Sequence, residues 1–181
     1  FTENFIGRLP FTLTDGQRNA LDRVFGSLQS TQPSRVLIQG DVGCGQTIVA
    51  VIACLNVVRN GYQCLVLVPT EVLCNQHFKT FSSLLSDIGK VVMLSGKDSS
   101  SKKRDIKLEL KNGKISILVA THALLYDDYD FKNLALVVID EQHKFGVKQR
   151  EQIISSYTYQ PHLIYMSATP IPRTLALVLY E

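Results

Sequence analysis

The stretch Val36-Leu37-Ile38-Gln39-Gly40-Asp41-Val42-Gly43-Cys44-Gly45-Gln46-Thr47 decides how the rest of the chain is read. A short apolar run, Val36 to Ile38, enters a glycine-rich turn. From Thr47 to Asn60 the chain is then apolar on nearly every face, until it stops at Asn60-Gly61. That is strand, loop and buried helix in succession. The loop satisfies the phosphate-binding pattern G-x4-G-K-[ST] at seven of its eight positions. Glycines let backbone N–H groups turn inward onto phosphate oxygens, and the helix N-terminus adds positive potential. The Thr47 hydroxyl is placed for Mg²⁺. The exception is Gln46, where the pattern has lysine. An amide donates hydrogen bonds but brings no charge to the β- and γ-phosphates. The loop is therefore expected to hold phosphates, with hydrolysis impaired.

Working outward, the same alternation recurs. Thr14-Asp15-Gly16-Gln17 opens a helical series through Ala20, Leu21, Val24, Phe25 and Leu28. Strands are expected at 64–68, 91–94, 115–119, 134–139 and 163–166. Helices are expected at 71–85, with Thr70 as N-cap, and at 99–111, 147–155 and 172–179. Residues 1–13 read as an extended lead-in. Strands separated by helix-length segments build βαβ units, so the expected fold is α/β: one domain over residues 1–181, with a mainly parallel central sheet and helices on both faces.

Composition agrees. Of 181 residues, 45% are hydrophobic and 19% charged, which describes a globular chain and excludes a disordered one. The net charge of +3 is compatible with nucleic acid without demanding it. No run of about 18 apolar residues is present, so no membrane partner is expected. Cys44, Cys54, Cys64 and Cys74 are spaced by ten, which is not the C-x2-C spacing of a metal site. Buried free thiols and no export signal lead us to expect a cytoplasmic protein. The missing initiator Met suggests a piece of a longer chain.

A second constellation follows the run Leu134 to Ile139, which ends in Asp140-Glu141-Gln142-His143. A strand delivering Asp-Glu at its carboxyl end is where an open α/β sheet places chemistry. Asp140 suits Mg²⁺, usually through water. Glu141 suits orienting and deprotonating an attacking water. The strand Leu163 to Met166 ends in Ser167-Ala168-Thr169, whose hydroxyls suit sensing phosphate state or bridging to Glu141 and His143.

These motifs in this order resemble superfamily 2 helicases. The strings VVIDEQHKFGVKQR (137–150), MSATPIPRTLAL (166–177) and LPFTLTDGQRNAL (9–21) are similar to the RecG family of bacterial branched-DNA translocases, and the likeness covers essentially the whole chain. The resemblance implies a first RecA-like P-loop NTPase domain of an ATP- and Mg²⁺-dependent DNA helicase. Such a helicase acts on branched DNA, forks and Holliday junctions in recombination and repair, in a bacterial cytoplasm at the nucleoid. It further implies partners within the same longer chain: a wedge domain that binds the junction, and a second RecA-like domain that supplies an arginine finger. By resemblance, Gln17 is the adenine-reading glutamine, although Thr14-x-x-Gln17 is also a capping box and the two roles are compatible. Pro69, Thr70, Gln76, Gly96, Thr121 and His122 match motifs that touch the DNA backbone. Gln142, His143, Ser167, Ala168 and Thr169 match those that couple hydrolysis to movement. Gln46 departs from the family and leaves a second reading open, a nucleotide- and DNA-binding module that has lost its chemistry. In either case the isolated chain is expected to be nearly inactive.

Overall fold

In the computed structural model, which describes residues 1–40, 45–122, 124, 128–140 and 160–168, six strands form one sheet. In chain order the described elements are α1 (Thr2–Gly7), α2 (Asp15–Leu28), β1 (Arg35–Gln39), α3 (Gln46–Arg59), β2 (Gln63–Val68), α4 (Glu71–Leu85), β3 (Val91–Leu94), α5 (Ser100–Lys111), β4 (Ile117–Thr121), β5 (Leu134–Asp140) and β6 (His162–Ser167). The strand order is β1-β6-β5-β2-β4-β3, and every pair is parallel. β6 thus lies between the strand that leads into the glycine-rich loop and the strand that ends in Asp140.

Strand residues alternate between two cores because successive side chains leave opposite faces of a sheet. On one face Cys64, Val66, Val68, Ile117, Val119, Ile164 and Met166 pack with α1, α2, α3 and α4. On the other, Leu65, Leu67, Leu118, Leu163 and Tyr165 pack with Ile106 and Leu110 of α5. Burial on both faces explains why these strands read as continuous apolar runs. α3 is apolar all round because it touches α1, α2, α4 and the sheet. It stops at Gly61, which adopts the left-handed φ of 84°.

Local signals placed most elements. Thr70 and Ser99 accept hydrogen bonds from the N–H groups of Leu73 and Lys102, capping α4 and α5 as their sequences suggest. Three details differ. Residues 1–13 are not an extended lead-in, since residues 2–7 form α1. A helix of six residues is below the length that is stable alone. It forms because Phe5 and Ile6 pack into the core beside α3, and because the Arg59 guanidinium sits 3.4 Å from the centre of the Phe1 ring. The expected strand at 115–119 is displaced to 117–121, since Ile117 is the first residue level with both Cys64 of β2 and Val91 of β3. In β5, Leu134 opposes Gln63 and Leu136 opposes Cys64, so Ala135 is a bulge that no apolar run could announce. The helices expected at 147–155 and 172–179 lie outside the described residues.

Candidate functional site

Strand register decides what meets at the carboxyl edge. Gln39 is level with Ser167, and Asp140 with Met166. Gly40, Ser167 and Asp140 therefore sit at the ends of three adjacent strands. With β6 between β1 and β5, the backbones at the ends of β1 and β5 stand two strand spacings apart, about 10 Å. Gly40 N–H donates to the Ser167 carbonyl at 3.3 Å, which ties the start of the loop to the end of β6. Ser167 is buried, and Ala168 follows it half-buried.

Gly45 precedes α3 with a φ of 79°. A Cβ there would displace Nε2 of Gln17, the end of a side chain, but the left-handed φ is what demands glycine. Gln17 is also fixed by its own helix. Its Oε1 accepts from Thr14 N–H at 3.0 Å, while its N–H donates to Thr14 Oγ1 at 3.2 Å. The capping box is real, and it aims the amide at the loop. The capping oxygen and Nε2 belong to one terminal amide, so a nucleotide-facing role would share the group that caps α2.

Gln46 opens α3, and Thr47 follows in its first turn. The Gln46 Nε2 donates to the Gly40 carbonyl at 2.7 Å and to the Ser167 carbonyl at 3.0 Å. An amide nitrogen has two hydrogens, so both are engaged with backbone. Before it can serve a phosphate, the side chain must release at least one of these bonds. Asp41, Val42, Gly43, Cys44, Glu141, Gln142, His143 and Thr169 lie outside the described residues.

The second half of the sheet gathers the remaining candidates. Val68 is level with Thr121, and Leu94 with Ala120. Pro69-Thr70, Thr121-His122 and Gly96 accordingly emerge at the carboxyl ends of β2, β4 and β3, which are neighbours. Thr70, Gln76 and Gly96 are exposed, Pro69 and His122 are half-buried, and Thr121 is buried. Three residues that sequence reasoning passed over tie the loops after β2 and β3 together. Glu71 accepts from Ser95 Oγ at 2.8 Å and pairs with Lys97 at 2.7 Å. The Lys97 ammonium holds the Glu71 carboxyl below its usual pKa. The lysines after β3 are engaged locally, Lys102 with Asp98 at 2.7 Å and Lys103 with the Gly96 carbonyl at 2.9 Å.

His77 was also missed, although it directly follows Gln76, one of the expected backbone-contact residues. Its Nε2 lies 2.7 Å from Oδ2 of Asp140, so α4 reaches across from β2 to the carboxylate at the end of β5. Nothing in the spacing of residues 63 apart announces that pair.

Burial lowers the pKa of His122 to about 4 and also lowers that of His162. His122 is thus neutral near pH 7 and offers hydrogen bonding without charge. The stability consequence has a definite sign. A histidine whose folded pKa is depressed binds fewer protons folded than unfolded, so its contribution is complete above about pH 6.5 and is lost as pH falls toward the folded value. Urea midpoints are expected to be lower at pH 5 than at pH 7, with the difference reduced in His122→Gln. An identical difference in both proteins would show that His122 titrates normally.

Comparison with known proteins bears on the whole arrangement. Residues 14–178 match the DEAD/DEAH box helicase family. The chain belongs to that family. This DEAD/DEAH helicase domain is 48% identical over 182 residues to the ATP-dependent DNA helicase RecG of Aquifex aeolicus (strain VF5), covering 99% of this chain and 23% of that protein. It is 44% identical over 187 residues to the RecG of Mycobacterium bovis, covering 96% of this chain and 25% of that one. A solved structure of RecG bound to a three-way DNA junction superposes with a TM-score of 0.83 at 40% identity, over 98% of this chain and 24% of that one. The helicase domain thus spans about a quarter of the length of these relatives, and its fold is the RecA-like one. RecA-like resemblance implies that the strand 163–166 lies between the strands 36–38 and 134–139, and β6 does lie between β1 and β5. No helix among the described residues is long and apolar enough to cross a membrane.

Proposed function

We propose that this chain is the ATP-binding motor domain of a RecG-type DNA helicase that acts on branched DNA and stalled forks in recombination and repair. The observation that carries the reading is the partition of one sheet edge. The glycine-rich loop, Ser167 and Asp140 occupy β1, β6 and β5, while the backbone-contact motifs occupy β2, β4 and β3. Nucleotide and nucleic acid would meet the same rigid sheet on adjacent halves.

The donor set fits ATP with Mg²⁺. Gly45 takes a left-handed φ directly before the N-terminus of α3, which favours an anion, and Thr47 and Asp140 offer hard oxygen donors. The metal, when bound, neutralises charge on the phosphates. Gln17 would face the base, Glu141 would orient the attacking water, and Gln142, His143, Ser167, Ala168 and Thr169 would pass the phosphate state to the rest of the motor. Pro69, Thr70, Gln76, Gly96, Thr121 and His122 would touch the DNA backbone. The wedge and second RecA-like domains of a longer chain would supply junction recognition and the arginine, in a bacterial cytoplasm at the nucleoid. The commitment of both Gln46 amide hydrogens to backbone carbonyls favours, as a second reading, a domain that binds nucleotide and DNA but hydrolyses poorly.

DNA titrations test the division of labour. His122 is neutral near pH 7, and Lys97 and Lys102 are paired with carboxylates, so few counterions would be displaced. Binding is expected with a shallow salt slope and a non-specific Kd of about 10⁻⁴–10⁻⁶ M or weaker. A tenfold preference of this chain alone for a fork over plain duplex would overturn the assignment of junction recognition to a wedge domain. A complete lack of DNA binding at low salt would remove the proposed contact motifs.

A further inference from the structure

His77 lies on the core-facing stripe of α4, with Cys74, Phe81 and Leu85, at 5% exposure. Apolar side chains fill every other position of that stripe, and a leucine would pack there without burying a polar ring. The imidazole instead buries two nitrogens. Nε2 meets Asp140 Oδ2 at 2.7 Å, and Nδ1 finds no partner among the described residues. Packing alone does not call for histidine at this place, whereas the contact with Asp140 does.

We propose that His77 is a positioning residue for the magnesium carboxylate, an inference that rests on the reading of Asp140 given above. The carboxylate can only accept, so Nε2 carries the hydrogen and donates to Oδ2. That bond restrains rotation of the carboxylate and would leave Oδ1 as the acceptor for the metal or its water. The ring is itself held, since Phe81 lies one turn further on with its centroid 6.3 Å away and its plane tilted by 49°. Asp140, at 17% side-chain exposure, ends a strand, and His77 is its one side-chain partner given among the described residues. Partners that fix the orientation of a metal ligand change metal affinity by about 10- to 100-fold when removed.

The same bond joins the two halves of the site. α4 begins at Thr70 and carries Gln76 beside His77, so the helix expected to touch DNA is the one that orients the carboxylate expected to hold the metal.

The test compares affinity for a non-hydrolysable ATP analogue with Mg²⁺ and with EDTA, in a Gln46→Lys background that secures measurable binding. In the parent, Mg²⁺ tightens binding. His77→Phe keeps the volume and removes the donor. It is expected to lose about tenfold of the Mg²⁺-dependent gain, with affinity in EDTA within twofold of the parent. His77→Gln, whose amide nitrogen reaches a place similar to Nε2, is expected to recover most of that loss, which a merely space-filling role would not predict. The proposal is overturned if His77→Phe leaves the Mg²⁺ gain intact while Asp140→Ala removes it. It is equally overturned if His77→Phe weakens binding by the same factor with and without Mg²⁺. If Asp140→Ala leaves the Mg²⁺ gain untouched, the metal reading of Asp140 fails first, and the role of His77 with it.

Discussion

Gln46→Lys is expected to tighten ATP binding by this chain about 10- to 150-fold, the equivalent of one charge-assisted hydrogen bond of about 1.5–3 kcal/mol. Two effects add in the same direction. The present amide has both hydrogens on the Gly40 and Ser167 carbonyls, so phosphate must first displace it. An ammonium on a longer stem has three hydrogens and a full charge. It can keep contact with the loop backbone while it reaches the β- and γ-phosphates. The gain is expected to be much larger for ATP than for AMP, which has no phosphate at that point. It should also vanish in a Gly45→Val background, because a branched side chain there would meet both a φ of 79° and the Gln17 amide. Calorimetric titration of ATP, ADP and AMP into each variant decides the matter. Equal ATP affinity with Gln and Lys would mean that position 46 points away from the ligand, and the phosphate-cradle reading of residues 40–47 would have to be withdrawn.

Steady-state ATP turnover by the chain alone is expected to fall well below 1 per second, with or without DNA. Two absences act together. Gln46 brings no charge to the γ-phosphate, where charge develops during transfer. The arginine finger assigned above to a second RecA-like domain would come from outside these 181 residues, and such a finger contributes about 10³–10⁵ in rate in the best-studied phosphoryl-transfer enzymes. Gln46→Lys should therefore restore binding without restoring fast turnover, which separates the two causes. Turnover near 1 per second by the unaltered chain would show that the cleft is complete without either part, and would remove the degenerate-module reading.

How much of this could be read from the residues alone varies element by element. α2 was legible because Thr14 and Gln17 form a capping box, and α4 because Thr70 caps it; both signals act within one turn of chain. α3 was legible from its unbroken apolar run and its Asn60-Gly61 stop. α1 was not, because its six residues are held by Arg59, Phe5 and Ile6 contacts that no local signal records. The glycine-rich loop was legible as a pattern, whereas the places of its Asp41, Val42, Gly43 and Cys44, and of Glu141 beside Asp140, lie outside the described residues. Strand order came from family resemblance. Periodicity marks which runs are strands but is the same whichever neighbour each one pairs with.

The chain's own residues therefore determine the α/β alternation, the sites where helices start and stop, and the phosphate-loop chemistry with its missing lysine. Each depends on a few consecutive side chains and backbone groups that interact wherever the segment sits. Only the tertiary structure decided that Gln46 donates to Ser167, 121 residues away, and that His77 meets Asp140, 63 residues away. It alone also decided that burial lowers the pKa of His122. Hydrogen bonds between distant side chains and the loss of water around an imidazole are set by which surfaces the sheet brings together. That information resides in the packing of β1, β6, β5 and β2 and in no single stretch of the chain.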